Sequence, residues 1–288
     1  PVWYIHVMAN ADTPLLQIRG LKTWYPVKKG VFARTAGHIR AVDGVDLDLM
    51  RGETLGIVGE SGCGKSTLAR TILRLEKPRA GTLLLNGRDI RTLRGADLRA
   101  YRRSVQVVFQ DPHASLNPRH PVLDLLTEAM LAHRLVTREN RRDAAIRLLA
   151  DVGLPEDILD RYPHAFSGGQ RQRLCIARAL ALGPELLLCD EAVSALDLSV
   201  RAQVLNLLED LKAKHGLSYL FITHDIGVVQ HIADRIAVMR QGRIVETGPA
   251  ERVLNAPEHP YTRLLLRAVP RIGVPLPDLP ETDLASAR

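Results

Sequence analysis

Between residues 15 and 58 the chain alternates apolar and polar positions, as at Leu16 and Ile18 and again at Val45, Leu47 and Leu49, which predicts a β-rich opening. Residues 28–38 interrupt the alternation with a basic, glycine-containing stretch and are expected to form a loop. Residues 53–58 are an apolar run of the length of a buried strand, and 67–74 switch to helical spacing. A strand at 82–85 runs into a tight turn at Asn86-Gly87, a polar helix covers 97–103, and 105–109 read as a second buried strand. The stretch 111–118 holds two prolines and is expected to be a loop. From 122 to 183 the pattern is helical, in segments 122–133, 138–152 and 168–182. Alternation then resumes with strand 186–189, helix 199–215, strand 219–222, short helix 227–233 and a hairpin of 235–239 and 243–246 around Gln241-Gly242. Beyond Pro257 the chain turns proline-rich and is expected to be a tail. The pattern is that of an α/β protein whose strand–helix alternation is broken by one helical insertion.

Composition narrows the class. The 288 residues suffice for a large core and about two structural units. No apolar stretch approaches the ~18 residues of a membrane span, and residues 1–12 lack a secretory pattern, so any membrane role is expected to come through a partner. The net charge is +7, with arginines concentrated in 88–103 and 138–147. They lie at helical spacing beside acids and aliphatics, with no interleaved aromatics on which bases could stack. Solvated helix faces are favoured, direct nucleic-acid binding is not expected, and attraction to an anionic membrane surface is the lesser alternative. Cys63, Cys175 and Cys189 have no CxxC spacing, which suits a reducing cytoplasm better than disulfides or zinc.

Candidate chemistry begins at Gly59-Glu60-Ser61-Gly62-Cys63-Gly64-Lys65-Ser66-Thr67, which fits the phosphate-binding pattern G-x-x-x-x-G-K-[ST] between a strand and a helix. The glycines let backbone N–H groups turn inward, and the helix start adds unpaired donors and a positive dipole end. Lys65 can reach β- and γ-phosphates, and the Ser66 hydroxyl can ligate Mg²⁺. The strand 186–189 ends in Asp190 and Glu191; alone this could be an acidic turn, but beside a phosphate loop Asp190 suits the metal and Glu191 an attacking water. His224 and Gln110 also stand at strand ends, where open parallel sheets bind ligands. His224 suits the γ-phosphate, and the Gln110 amide the metal or the water. At Ser167-Gly168-Gly169-Gln170 a plausible N-cap and two glycines open a helix, making a second anion surface on a chain with one phosphate loop. Two surfaces and one cradle suggest that the second serves another subunit, in a head-to-tail pair that encloses two ATP molecules.

This combination resembles the ATP-binding cassette (ABC) family. The likeness covers nearly the whole chain: the phosphate loop at 59–67, Gln110, the signature Ser167-Gly168-Gly169-Gln170, Asp190 with Glu191, a loop Ser194-Ala195-Leu196-Asp197, and His224. It implies a P-loop NTPase (RecA-like) core with an antiparallel β subdomain and an inserted α-helical subdomain at about 112–183, within an ATPase domain of residues 1–255. It also implies ATP and Mg²⁺ as ligands and Asp197 as one of the nucleotide-binding residues. A narrower resemblance, to dipeptide and oligopeptide importer ATPases, rests on Tyr25-Pro26-Val27-Lys28-Lys29-Gly30, on 107–112, on 115–119, on Arg161-Tyr162-Pro163-His164 and on His259-Pro260-Tyr261-Thr262. It implies a C-terminal extension at 256–288, a second ATPase subunit (a related chain or an identical copy), two transmembrane permease subunits, a substrate-binding protein, and a peripheral location on the cytoplasmic side of the inner membrane. Nickel and glutathione importers share much of the pattern. The family's adenine-stacking aromatic falls on Tyr25, Phe32 or His38. Ala192 departs from the proline usual after the catalytic glutamate, which is expected to loosen the following loop slightly. Without a cysteine-containing tail, no iron–sulfur cluster is expected. The rival reading is a soluble ABC ATPase of a non-transport assembly, bound to nucleic acid, ribosomes or an enzyme complex.

Overall fold

The computed structural model describes residues 13–29 and 34–267. Strands β1 (Leu16–Lys29) and β2 (Arg34–Leu49) pair antiparallel along almost their full lengths, from Leu16 opposite Leu49 to Lys29 opposite Arg34. The expected loop at 28–38 is therefore largely two strands of one arm. The pairing register shifts at four places between Ile18 and Lys28. Each slip exchanges the faces on which side chains fall, so the alternation read at 16–18 and 45–49 does not carry through to 28–38.

Next come β3 (Thr54–Val58), α1 (Lys65–Ile72), β4 (Ala80–Leu85), the two-residue β5 (Arg88–Asp89), α2 (Gly95–Ser104) and β6 (Val105–Phe109). The expected loop at 111–118 opens instead with one helical turn, α3 (Pro112–Ser115). Asp111 caps it by accepting from the backbone N–H groups of His113 and Ala114, at 2.8 and 3.3 Å. The helical segment contains α4 (Val122–Ala132), α5 (Arg141–Asp151) and α6 (Gly168–Leu180), with single 3-10 turns at Glu156–Ile158 and Pro163–Ala165 before α6. Then follow β7 (Leu186–Asp190), α7 (Leu198–His215), β8 (Ser218–Ile222), α8 (Ile226–Ile232), β9 (Arg235–Arg240), β10 (Arg243–Pro249), α9 (Ala250–Asn255) and α10 (Pro260–Arg267). The last helix corrects the expectation of a plain tail. Its proline sits at the first helical position, where the missing N–H costs nothing.

Two sheets result. One is antiparallel, in the order β2-β1-β4-β5; the other has six strands in the order β10-β9-β3-β8-β7-β6, parallel except for β10. This is the α/β architecture expected from the strand–helix alternation, with the P-loop NTPase core and antiparallel subdomain that the resemblance implies. The central parallel strands are buried on both faces, which explains their unbroken apolar runs. Leu187, Cys189, Tyr219 and Phe221 point toward a core shared with α4–α7. Their neighbours Leu186, Leu188, Leu220 and Ile222 point the other way, toward α1 and the antiparallel sheet. Each such buried side chain contributes on the order of 1.5–3 kcal/mol. By contrast β6 is an edge strand, and Phe109 at its end is 38% exposed, so the second strand is less buried than its sequence suggests.

Candidate functional site

Because β3, β6, β7 and β8 run parallel, their carboxyl ends lie along one edge of the sheet. That edge receives the phosphate loop from β3, Gln110 from β6, Asp190 and Glu191 from β7, and His224 from β8.

The phosphate loop turns into α1 at Gly64, which has φ 113°. A side chain there would be strained in that conformation, and its Cβ would lie 2.0 Å from the Ala41 carbonyl oxygen of β2, so only glycine fits. The loop is braced from the β9–β10 turn as well, where the Gly242 N–H donates to the Cys63 carbonyl at 2.8 Å. Lys65 is 5% exposed, and its ammonium donates to the carbonyls of Gly59 and Glu60 at 2.7 and 2.8 Å. Burial, the largest influence on Cys63, pushes its thiol up against the opposing charge of Lys65. Cys63 is thereby a packed thiol, as are Cys175 and Cys189, which are also free and buried.

The Ser66 hydroxyl donates to Asp190 Oδ1 at 3.3 Å. Burial, reinforced by the charge of Glu191, pushes the Asp190 carboxyl above the usual carboxylate range, although the Ser66 hydrogen bond pulls the other way. No ion pair engages Asp190 among the described residues. The charges of Arg70 and Lys65 also favour its ionised form from a distance, and with a hydroxyl beside it and the Gln110 amide in the same cleft it offers the hard oxygen donors that Mg²⁺ takes. Glu191 adopts φ 53°, a left-handed conformation costing about 1–3 kcal/mol in a non-glycine residue. Its N–H donates to the Ile222 carbonyl at 2.8 Å, and its Oε1 lies 3.1 Å from His224 Nδ1. Ser66, Gln110, Asp190 and Glu191 line a cleft of about 720 Å³, together with Ser61 and two arginines absent from the sequence reading, Arg70 and Arg178. Arg178 hydrogen-bonds the Ser115 carbonyl, tying α6 to the segment after Gln110. That link joins residues 63 positions apart, which sequence spacing cannot reveal.

The signature lies apart from this cleft. Ser167 caps α6 reciprocally: its Oγ accepts from the Gln170 N–H at 3.3 Å, and Gln170 Oε1 accepts from the Ser167 N–H at 3.1 Å. Ser167, Gly168 and Gln170 are exposed. Gly169 packs on α7, where an added Cβ would come 2.6 Å from Val200 Cγ1. Asp197 caps α7; the Val200 N–H and the Ser199 hydroxyl hold its carboxyl below the usual range. Arg201 joins this loop to the neighbourhood of His224, reaching Asp225 at 2.6 Å and the Leu196 carbonyl at 3.4 Å. Ala192 is 2% exposed, and backbone bonds from Ser194 to Glu191 and from Leu196 to Val193 close the turn without a proline.

Of the three aromatics considered for adenine, Phe32 lies outside the described residues. His38 packs against Trp24, at 5.9 Å between ring centroids, and lies 3.1 Å from an Arg79 nitrogen. Tyr25 is half-buried on β1.

A nucleotide cradle at the strand ends and a separate signature helix define an ATP-binding cassette. A model of the ABC transporter family matches residues 42–194, and a model of the oligopeptide/dipeptide transporter C-terminal region matches 245–285. The oligopeptide transport ATP-binding protein AppF of Bacillus subtilis (strain 168) is 50% identical, over 91% of this chain and 80% of its own length. The dipeptide transport ATP-binding protein DppF of Escherichia coli (strain K12) is 51% identical, over 92% and 79%. Among solved structures, the dimeric post-hydrolysis state of the ATP-binding cassette MJ0796 bound to ADP and Pi superposes with a TM-score of 0.71 at 29% identity, covering 82% of this chain and 98% of that one. The chain belongs to the ABC transporter family, in its oligopeptide/dipeptide branch, and is an ATPase.

Proposed function

We propose that this chain hydrolyses ATP to drive uptake of di- and oligopeptides, or of a related small solute such as glutathione, across the cytoplasmic membrane. The observation that carries the reading is the convergence of Lys65, Gln110, Asp190, Glu191 and His224 from four strand ends on one edge, while Ser167–Gln170 stands exposed elsewhere.

In this reading the backbone N–H groups of Gly62 to Thr67 and the Lys65 ammonium hold the phosphates. Ser66, Asp190 and Gln110 hold Mg²⁺, which when bound neutralises charge on the transferring phosphoryl group. Glu191 accepts a proton from the attacking water, and the hydrogen bond to His224 orients its carboxylate. His38 is engaged by Trp24 and Arg79, so Tyr25 is the better of the described aromatics for adenine. Ser167, Gly168, Gly169 and Gln170, with Asp197, face the nucleotide of a second ATPase subunit in a head-to-tail dimer. The ATPase domain runs to about residue 255 with the helical insertion at about 112–183, and 256–288 form the extension.

The peptide assignment draws on the match at 245–285 and on the relatives' functions. No helix among the described residues is long and apolar enough to cross a membrane. On the relatives' transport functions, the partners in this reading are two permease subunits, a second ATPase and a substrate-binding protein, with this chain peripheral on the cytoplasmic side. Affinity purification from membranes tests this. Recovery with two integral membrane proteins, and ATP hydrolysis stimulated by a peptide-loaded binding protein, supports import; recovery with ribosomes or nucleic acid overturns it.

A further inference from the structure

The His259-Pro260-Tyr261-Thr262 motif has no part in the site described above, yet it reaches the phosphate loop. The Glu60 N–H donates to the Tyr261 hydroxyl at 3.2 Å, a contact spanning 201 positions of sequence. Glu60 N–H belongs to the peptide group whose carbonyl is that of Gly59, and that carbonyl accepts from Lys65 Nζ at 2.7 Å. In a trans peptide the N–H and C=O point in opposite directions. One peptide plane is thus gripped at both ends, by Tyr261 on one side and by the Lys65 ammonium on the other.

The grip has a rigid mount. Tyr261 is 4% exposed and packs with Val58, Val229, Ile236, Val238 and Val253, Val58 being the residue just before the loop. The Arg240 guanidinium stacks on the ring at 4.8 Å from its centroid. Upstream, the Glu246 carboxylate accepts from the N–H groups of Glu258 and His259 at 2.9 and 3.0 Å, which fixes the turn that delivers Tyr261. Burial raises the phenol above its usual range, so it keeps its proton at neutral pH.

We infer that Tyr261 is a positioning residue for ATP: by fixing the Gly59–Glu60 peptide plane it sets where the Lys65 ammonium rests and pre-organises it for the phosphates. Lys65 meets the phosphates in ground and transition states alike, so losing this support weakens binding more than turnover. The inference rests on the ATPase reading.

The test is Tyr261→Phe in the assembled transporter, which removes the hydroxyl and keeps the ring. One hydrogen bond's worth of support predicts an ATP KM raised roughly three- to tenfold, with kcat within about twofold of wild type and a Tm lowered by no more than about 4 °C. Tyr261→Leu, which also loses the ring packing, lowers Tm and raises KM at least as far. An ATP KM that stays at the wild-type value in Tyr261→Phe overturns the inference, as does a kcat that falls in step with Tm. Wild-type turnover in the same assay separates the two ideas: an inactive wild type overturns the ATPase reading and this inference together, whereas an active wild type with an unaltered variant overturns this inference alone.

Discussion

The phosphate loop and the signature segment are both glycine-rich helix starts, but the protein treats them differently. The loop is gripped from within. Its lysine is buried against two carbonyls, its glycine backs onto β2, and the β9–β10 turn and Tyr261 brace its outer side. The signature is anchored from behind, with Gly169 against Val200, and its capping box closes its hydrogen bonds within itself. Its outer face is open to solvent. The loop is shaped by its own chain; the signature is held in shape and left uncovered, as the proposed head-to-tail dimer requires.

The sharpest way to test that contrast is to remove chemistry from one side only. Glu191→Gln keeps the shape of the cleft and is expected to lower ATP turnover by a factor on the order of 10²–10³, with ATP binding retained and nucleotide-bound dimers accumulating. Gel filtration with ATP, alongside a phosphate-release assay, measures both effects.

On the other side, Ser167→Glu places a negative charge where the partner's nucleotide is to sit. Like-charge juxtaposition is unfavourable, and a cost of about 2 kcal/mol at this exposed site lowers turnover in the assembled transporter by about 10- to 100-fold. Equilibrium ATP binding to the isolated chain should stay unchanged, because its own cradle is untouched. A loss of binding in the isolated chain would mean that the signature serves the same subunit.

The two glycines of the signature divide in the same way. Gly169→Ala drives a methyl into Val200 and is expected to lower stability by about 1–3 kcal/mol in urea unfolding. Gly168→Ala meets no atom within 4 Å and is expected to hold or slightly raise stability.

The smallest effect concerns the bracing of the loop from β2. The Arg243 guanidinium holds the buried Asp43 carboxyl below its usual range, against the effect of burial. A depressed folded value means the contribution is complete above the unfolded carboxylate pKa, roughly 4, and fades as the pH falls from there toward the folded value. The Tm gap between wild type and Asp43→Asn should therefore be constant from neutral pH down to about 5 and close on further acidification.

Much of this arrangement was legible in sequence because of where the groups sit. Asp190, Glu191 and His224 end strands buried on both faces, and such strands announce themselves as short apolar runs with polar residues at the edge. The Ser167 cap was legible because its partner is three residues away. Only the outer end of the β1–β2 arm, 28–38, reads as a loop, because a register shift and a basic, glycine-containing stretch hide its alternation. The helix carrying Tyr261 was read as tail because it is eight residues long and opens on proline after a proline-rich approach. Arg178, Arg201 and Tyr261 act across long stretches of sequence, and no local spacing marks such pairings.

One consequence follows from the place of β6. β3 has hydrogen-bonded neighbours on both sides, whereas among the described residues β6 is joined to β7 alone. Gln110 therefore sits at the margin of the sheet, on a strand held by one hydrogen-bonded neighbour rather than two, next to α3 and the helices packed behind it. In the proposed transporter, a push arriving through those helices would meet Gln110 three strands away from the one that bears the phosphate loop, so a mechanical signal would be registered without letting go of the fuel.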